Sequence, residues 1–203
     1  MELKRVVVTG IGMVTPLGND VTTTWENLLA AKSGAGDITH FDASKFKTQF
    51  ACEVKNLDVS SLFDPKELRR YDRYIHLAIH SAEQAIQDAG ICVENEDALR
   101  CGVIFGSGMG GIHTLDINTA SFSTGDGTPR YSPFYIPMVI TNMAAGMMAL
   151  RYGFHGVNYA TTSACASSAH AIANAFKPVF IRSLKFVSRP AENIKSITPI
   201  SAI

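Results

Sequence analysis

The chain has 203 residues, of which 46% are hydrophobic, and its 18 basic and 18 acidic residues give a formal net charge of zero. This composition is typical of a globular protein with a sizeable core, and it excludes a disordered chain or one whose overall charge binds nucleic acid. The N-terminal stretch "MELKRVVVTG" has no apolar run suited to a secretory signal, and residues 138–150 are too short to span a bilayer. We therefore expect a cytoplasmic protein that does not enter the membrane.

Strands and helices are predicted to alternate from the start of the chain. The β-branched run "RVVVT" at residues 5–9 predicts a buried strand, and "VTTTWENLLAAKSG" predicts a helix that ends at Gly34. A longer helix is predicted over residues 65–89, with Asp64 as its N-cap and Gly90 at its end. Each helix would cover one face of a neighbouring strand.

The second half of the chain continues this pattern. "CGVIFGSGMGG" predicts a strand that runs into a glycine-rich turn, and "SPFYIPMVITNMAAGMMALRYG" predicts a helix of small residues after an opening with prolines. "GVNYATTSA" predicts another strand, and "CASSAHAIANAF" an alanine-rich helix. Alternating strands and helices favour an α/β fold with a largely parallel sheet.

Four cysteines are present, and none forms a CxxC pair or a Cys/His spacing typical of zinc, so no metal site is expected. In a reducing compartment they are free thiols. Cys52, Cys92 and Cys101 lie in or beside apolar runs and are expected to be small buried side chains.

Cys165 has a different setting, because it lies between a predicted strand and the alanine-rich helix. The unpaired N–H groups of a helix N-terminus favour a thiolate and could form part of an oxyanion hole, as at a nucleophile elbow. Its small neighbours leave room for an acyl group, although a structural thiol at a tight junction is the open alternative. His170 lies about 140° around an ideal helix from Cys165, so it is poorly placed to activate the thiol, and a packing or solvent role is expected.

Four motifs in order along the chain resemble the β-ketoacyl-acyl-carrier-protein synthases, type II, the elongating condensing enzymes of bacterial fatty-acid synthesis. The motifs are "RVVVTGIGMVTPLGN", "GSGMGG", "SPFYIPMVITNMAAG" and "TTSACASS", and the resemblance runs from residue 3 to about residue 176. It implies the N-terminal half of a thiolase-like fold, a layered α/β structure with a mostly parallel sheet. In its full-length form the family assembles as a homodimer.

The resemblance also implies a chemistry that needs no cofactor. Cys165 matches the family's nucleophile, which takes an acyl group from acyl carrier protein as a thioester. Malonyl-loaded carrier protein then loses carbon dioxide, and the carbanion attacks the thioester to give a β-ketoacyl chain. In the family's pocket region Met109 is a candidate for lining the acyl pocket, with Phe134 and Ile112 as weaker candidates and ordinary core as the alternative.

Basic residues point to a docking surface for the carrier protein. Lys66, Arg69 and Arg70 are spaced to share one face of the helix predicted over residues 65–89, and Arg130 is expected to add to them. Acyl carrier proteins are acidic, so such a patch would steer them to the site. A solvated helix surface is the alternative.

The resemblance lapses at residues 177–190, "KPVFIRSLKFVSRP", and resumes at "AENIKSITPISAI". A short stretch of wrong reading frame would produce this pattern. The family's second half carries two histidines and a lysine that serve decarboxylation, and none of the six histidines here maps onto them. The domain prediction is therefore an N-terminal half without its C-terminal half, inactive in condensation by itself.

Two other functions stay open at this point. A non-catalytic acyl-binding or scaffold subunit would also lack the second half. An NAD(P)-dependent oxidoreductase is suggested by Gly106, Gly108 and Gly111, which fit GxGxxG, with Asp126 at a suitable distance. Against the oxidoreductase, "IHTLDINTASFSTG" is predicted to be a poor helix, and Asp126 is predicted to lie in a loop rather than at a strand end.

Overall fold

Strands and helices alternate along the chain in the computed structural model, which describes residues 6–181 and 200–201. The helices are α1 (Val21–Leu29), α2 (Arg73–Asp88), α3 (Ile112–Thr124), α4 (Tyr135–Val139), α5 (Met143–Tyr152) and α6 (Ser167–Ile181). The strands are β1 (Met13–Val14), β2 (Gly36–Asp37), β3 (Phe50–Ala51), β4 (Val103–Gly106), β5 (Asn158–Thr161) and β6 (Ile200–Ser201). Short 3₁₀ turns span Val93–Asn95, Ala98–Arg100 and Ala164–Ala166.

Parallel pairing dominates among the described strands. β1 pairs with β6 in parallel, and β4 pairs with β5 in parallel from Val103 opposite Asn158 to Gly106 opposite Thr161. β2 and β3 form an antiparallel pair. The described strands form separate two-stranded pairs rather than one continuous sheet, but the predicted α/β class with mainly parallel pairing is confirmed.

The core is organised on the two faces of β4. Val103 and Phe105 are buried among side chains of α2 and α5, whereas Ile104 on the opposite face packs with Ala171 and Ala175 of α6. A strand covered on both faces needs apolar side chains at successive positions, which explains its continuous apolar sequence. The result is a layered arrangement, with α2 and α5 on one side of the parallel strands and α6 on the other.

The strand predicted at residues 5–9 is wrong. Residues 6–12 contain no strand, and the first described strand begins at Met13. Val7 and Val8 are exposed. A β-branched run is stable as a strand only where a neighbour accepts its backbone hydrogen bonds, and no described strand pairs with this segment.

The start of the long second helix also differs from the prediction. Asp64 accepts the N–H of Glu67 at 2.8 Å, as expected of an N-cap, and Glu67 accepts the N–H of Asp64 at 3.0 Å, which completes a capping pair that was not predicted. It supports only a short turn, because Asp72 adopts an extended conformation with ψ 157° and becomes the N-cap of α2. The helix therefore begins at Arg73 instead of residue 65.

The other helices differ from their predicted bounds by less than the start of α2 does. α1 ends at Leu29, before Gly34, because Ala31 takes a left-handed conformation with φ 52°. α2 ends at Asp88, close to the predicted stop at Gly90. The helix predicted after the prolines is two helices, α4 and α5, since Ile140 between them is extended. Of the stretch predicted to depart from the family pattern, residues 177–190, the part up to Ile181 belongs to α6, and the remainder lies outside the described residues.

Candidate active site around Cys165

Cys165 lies in a sharp connection between a strand and a helix. β5 ends at Thr161, the chain makes the 3₁₀ turn Ala164–Ala166, and α6 begins at Ser167. Cys165 is exposed, and Ala164 before it has a left-handed φ of 49°. Such a conformation is uncommon for a residue with a Cβ and occurs often at functional sites. The thiol is presented at the positive end of α6, as the elbow analogy requires, while its role as a nucleophile stays a prediction.

A buried serine holds this turn in place. Ser167 Oγ accepts the N–H of Ser163 at 2.9 Å and donates to the carbonyl of Ala164 at 2.7 Å. Thr161 donates its hydroxyl to the carbonyl of Ser167 at 2.8 Å. Sequence reasoning missed this role for the serines, although serine side chains near helix starts commonly bond to nearby backbone groups.

His170 bonds to the same turn, and among the described residues it forms no hydrogen bond with the thiol. Its Nδ1 lies 2.6 Å from the hydroxyl oxygen of Ser163, two residues before Cys165. The expectation that His170 does not activate Cys165 agrees with this arrangement, but the hydrogen bond to Ser163 was not anticipated.

The glycine-rich turn "GSGMGG" packs directly against the start of α6. A Cβ at Gly106 would lie 2.5 Å from the backbone nitrogen of Ser168, so only glycine allows this approach. The buried Ser107 donates its N–H to the carbonyl of Thr161 at 3.1 Å, and its hydroxyl accepts the N–H of Gly110 at 3.1 Å. The turn after β4 therefore supports the turn that carries the thiol.

A helix does follow the glycine-rich turn, contrary to the prediction of a poor helix. The reason is a buried carboxylate from elsewhere in the chain: Asp72 accepts the N–H of Thr114 at 3.1 Å and its hydroxyl at 2.5 Å. Asp72 also accepts the N–H of Tyr74 at 3.1 Å. One carboxylate thus supplies acceptors to the first turns of both α2 and α3, where backbone N–H groups lack partners within the helix.

The glycines nevertheless do not indicate a dinucleotide site. Gly110 has φ 64°, and a Cβ there would clash with the carbonyl of Val139, so main-chain packing explains its presence. Asp126 lies in an exposed loop and forms an ion pair with Arg130 at 2.8 Å. Neither observation favours the oxidoreductase alternative.

The three residues predicted to line an acyl pocket are all exposed. Met109 in the glycine-rich turn is 65% exposed, Ile112 at the start of α3 is 45% exposed, and Phe134 before α4 is 39% exposed. The guanidinium of Arg70 lies over the ring of Phe134 at 4.8 Å from its centroid. The acyl-lining role of these residues stays a prediction.

The basic residues form an exposed segment, but not a helix face. Lys66, Arg69 and Arg70 lie in the turn before α2, so the argument from helical spacing is wrong. Arg69 and Arg73 line a groove of about 360 Å³ between this turn and α3. Arg73 was not predicted as part of this surface, although it lies four residues after Arg69. Arg130 is paired with Asp126, which offsets its charge.

The other cysteines differ in exposure from expectation. Cys101 is buried as predicted, whereas Cys52 and Cys92 are exposed because they follow a short exposed strand and the end of α2. Cys92 donates its S–H to Glu94 at 3.1 Å, and this hydrogen bond raises the pKa of the Cys92 thiol. Exposure alone therefore does not distinguish Cys165, but its position on the left-handed turn does.

Two titratable side chains of α2 have pKa values shifted by burial. Burial lowers the pKa of His76, whose ring packs edge-on against Phe63 at 4.9 Å between centroids. Burial raises the pKa of Tyr74, whose hydroxyl donates to the carbonyl of Ile140 at 2.5 Å. This bond ties α2 to the connection between α4 and α5.

Within the described ranges, no group of three metal-ligating side chains occurs, and no helix is long and apolar enough to cross a membrane.

Comparison with known proteins places this site in a family. Residues 3–182 match the family described as beta-ketoacyl synthase, N-terminal domain. The chain is 42% identical over 179 residues to the 3-oxoacyl-[acyl-carrier-protein] synthase 2 of Coxiella burnetii, covering 88% of this chain and 43% of that protein. The protein of the same name from Staphylococcus aureus strain N315 is 42% identical over 176 residues, or 87% of this chain and 42% of that protein. The chain thus spans less than half the length of these relatives.

Solved structures show the same fold. A beta-ketoacyl synthase from Burkholderia phymatum STM815 matches with a TM-score of 0.71 at 26% identity, covering 87% of this chain and 43% of that one. The complex of a type II PKS acyl-carrier protein with its ketosynthase bound to the hexaketide matches with a TM-score of 0.70 at 21% identity, covering 87% and 46%. The second likeness shows the fold alone, and together they confirm the predicted thiolase-like architecture. Sequence and fold agree that this chain belongs to the beta-ketoacyl synthase family and contains its N-terminal domain.

Proposed function

We propose that the chain carries the acyl-accepting part of a 3-oxoacyl-acyl-carrier-protein synthase that acts in cytoplasmic fatty-acid elongation. The observation that carries the proposal is the exposed thiol of Cys165, held directly after the left-handed Ala164 at the junction of β5 and α6. Its small neighbours and the nearby glycine-rich turn leave the sulfur accessible to a thioester. An ordinary structural cysteine has no need of such a conformation.

The first step is transfer of the acyl group to the protein. The Cys165 thiolate attacks the thioester carbonyl, a carbon–sulfur bond to the cysteine forms, and the bond to the carrier's sulfur breaks. The leaving thiolate takes up a proton. The positive end of α6 favours the attacking thiolate. The N–H of Cys165 has no acceptor among the described residues, so it is free to stabilise the oxygen that becomes negative during the attack.

Condensation follows on the acylated cysteine. Malonyl-loaded carrier protein loses carbon dioxide, its carbanion forms a carbon–carbon bond to the acyl carbon, and the Cys165 thiolate leaves. More than half of the length of these relatives lies outside the matched region. We expect the residues that drive decarboxylation in that part, so the 203 residues alone should accept acyl groups without completing condensation. The full-length form is proposed to be a homodimer.

Acyl carrier protein, in its acyl-loaded and malonyl-loaded forms, is the proposed partner. Lys66, Arg69 and Arg70 present exposed positive charge on the turn before α2. Acidic partners are steered by such charge, with a rate that falls as salt increases. Arg130 should contribute less because Asp126 neutralises it. The relatives' names, which specify acyl-carrier-protein substrates, support this choice of partner.

Acylation of the chain tests the proposal. The protein is incubated with octanoyl-loaded carrier protein, and adducts are located by peptide mass spectrometry. We expect a thioester on Cys165 that is lost in Cys165→Ala and retained in Cys52→Ala, a matched change at another exposed cysteine. Absence of acyl transfer to Cys165, or equal labelling of all exposed cysteines, would refute the proposal. Carrier binding without acylation would instead favour the non-catalytic acyl-binding subunit.

A further inference from the structure

We propose that His170 is a positioning residue that fixes the turn presenting Cys165. The inference rests on the proposed function, because it takes Cys165 as the nucleophile. Its basis is the 2.6 Å hydrogen bond between His170 Nδ1 and the hydroxyl of Ser163. His170 acts through Ser163 and does not exchange a proton with the thiol.

Ser163 is anchored at every polar group it has. Its N–H donates to Ser167 Oγ at 2.9 Å, and its carbonyl accepts the N–H of Ala166 at 3.1 Å. The remaining group is the hydroxyl, whose hydrogen bond among the described residues is to His170. The three partners of Ser163 lie in the turn or at the start of α6. They therefore fix the backbone next to the residue between Ser163 and Cys165.

That residue is Ala164, and its conformation explains why anchoring is needed. A φ of 49° is disfavoured for alanine, so the segment would relax toward a more common conformation if it were free to do so. Because Cys165 follows Ala164 directly, such a change would redirect the thiol. The backbone anchors restrain Ser163 from the inside of the turn, and His170 restrains it from the exposed side.

The hydrogen bond is compatible with either neutral form of the histidine ring. The Ser163 hydroxyl donates when Nδ1 carries no proton, and it accepts when Nδ1 carries one. The hydrogen bond between Ser163 and His170 therefore has a structural role. Its loss should change the position of the thiol without affecting the rest of the fold. This distinguishes His170 from a catalytic acid or base.

Alkylation by iodoacetamide provides the test, because this probe reports on the thiol without requiring an acyl pocket. Two disruptive variants, Ser163→Ala and His170→Phe, remove one partner each, and His170→Phe keeps an aromatic ring. Two conservative variants, Ser163→Thr and His170→Asn, keep a hydroxyl or a polar atom near the position of Nδ1. The rate at Cys165 is divided by the rate at the exposed Cys52 of the same molecule, measured by mass spectrometry.

We expect this ratio to fall about fivefold in each disruptive variant, as for loss of one ordinary hydrogen bond, and to recover to within about twofold in the conservative variants. An unchanged ratio in Ser163→Ala and His170→Phe would overturn the proposal. An equal change at Cys52 and Cys165 would also overturn it, because it would show a general structural role. Failure of carrier-dependent acylation with this ratio still sensitive to His170 would reject the proposed function while supporting the positioning role.

Discussion

Replacing Asp72 with alanine should destabilise the protein strongly, because this carboxylate caps two helices at once. It accepts the N–H of Tyr74 in α2 and both the N–H and the hydroxyl of Thr114 in α3. Asp72 is only 5% exposed, so water cannot easily replace it as an acceptor. A buried donor left without a partner costs about 1–3 kcal/mol. Allowing for relaxation, we expect the free energy of unfolding to fall by about 3–5 kcal/mol.

Asp20→Ala is the matched control. Asp20 caps α1 with the same kinds of bond, accepting the N–H and the hydroxyl of Thr23 at 2.7 Å each, but it is exposed. Removal of such a cap costs about 1 kcal/mol. Urea unfolding of the two variants, followed by circular dichroism, measures the difference. Equal destabilisation by Asp72→Ala and Asp20→Ala would refute the idea that the buried bridge between α2 and α3 is an important source of stability.

A methyl group at Gly106 should push α6 away from β4 and cost about 1–3 kcal/mol in urea unfolding, whereas Gly146→Ala, in open space within α5, should stabilise by about 0.5–1 kcal/mol. Burial lowers the pKa of His76 from its ordinary 6.5, because a charged ring is less favourable in the folded state. The folded protein therefore has its full stability above pH 6.5 with respect to this group, and it loses stability as the pH falls below that value. His76→Gln should therefore lose less stability than the parent between about pH 7.5 and pH 5.5. Arg69→Glu should weaken carrier-protein binding, measured by titration at low salt, more than Arg130→Glu does.

Each of these expectations has a contrary result. Similar stabilities for Gly106→Ala and Gly146→Ala would contradict the close approach of β4 to α6. An identical loss of stability on acidification in His76→Gln and the parent would show that His76 does not titrate with unfolding. Equal weakening of binding by the changes at Arg69 and Arg130, or no weakening at all, would argue against docking at the turn before α2.

Elements determined by local pattern were predictable from the sequence. β4 is an apolar run that ends in a glycine-rich turn, and the small residues after Cys165 favour a helix. The start of α2 was not predictable in the same way. Asp64 forms its cap as expected, but the helix does not begin until after Asp72, which turns toward Thr114. A contact between residues so far apart in the chain leaves no periodic signal.

The candidate site shows the same division. The motif around Cys165 and its place before an alanine-rich helix were evident from the sequence. The left-handed conformation of Ala164 was not, because alanine has no preference for it and the neighbouring contacts impose it. The bonds of Ser163 to Ser167 and His170 depend on that conformation, so they could not be inferred before it was known.

The direct meeting of the β4 and α6 backbones at Gly106 has a practical consequence for protein engineering. The start of α6 is set against β4 by main-chain atoms, whereas Met109, Ile112 and Phe134 are exposed side chains outside that contact. If the proposed acyl-lining role of these three residues holds, libraries that aim to alter substrate range can be confined to their three positions, and they would leave Gly110 and Thr114 unchanged. Every member would keep the same close contact between β4 and the helix that follows Cys165.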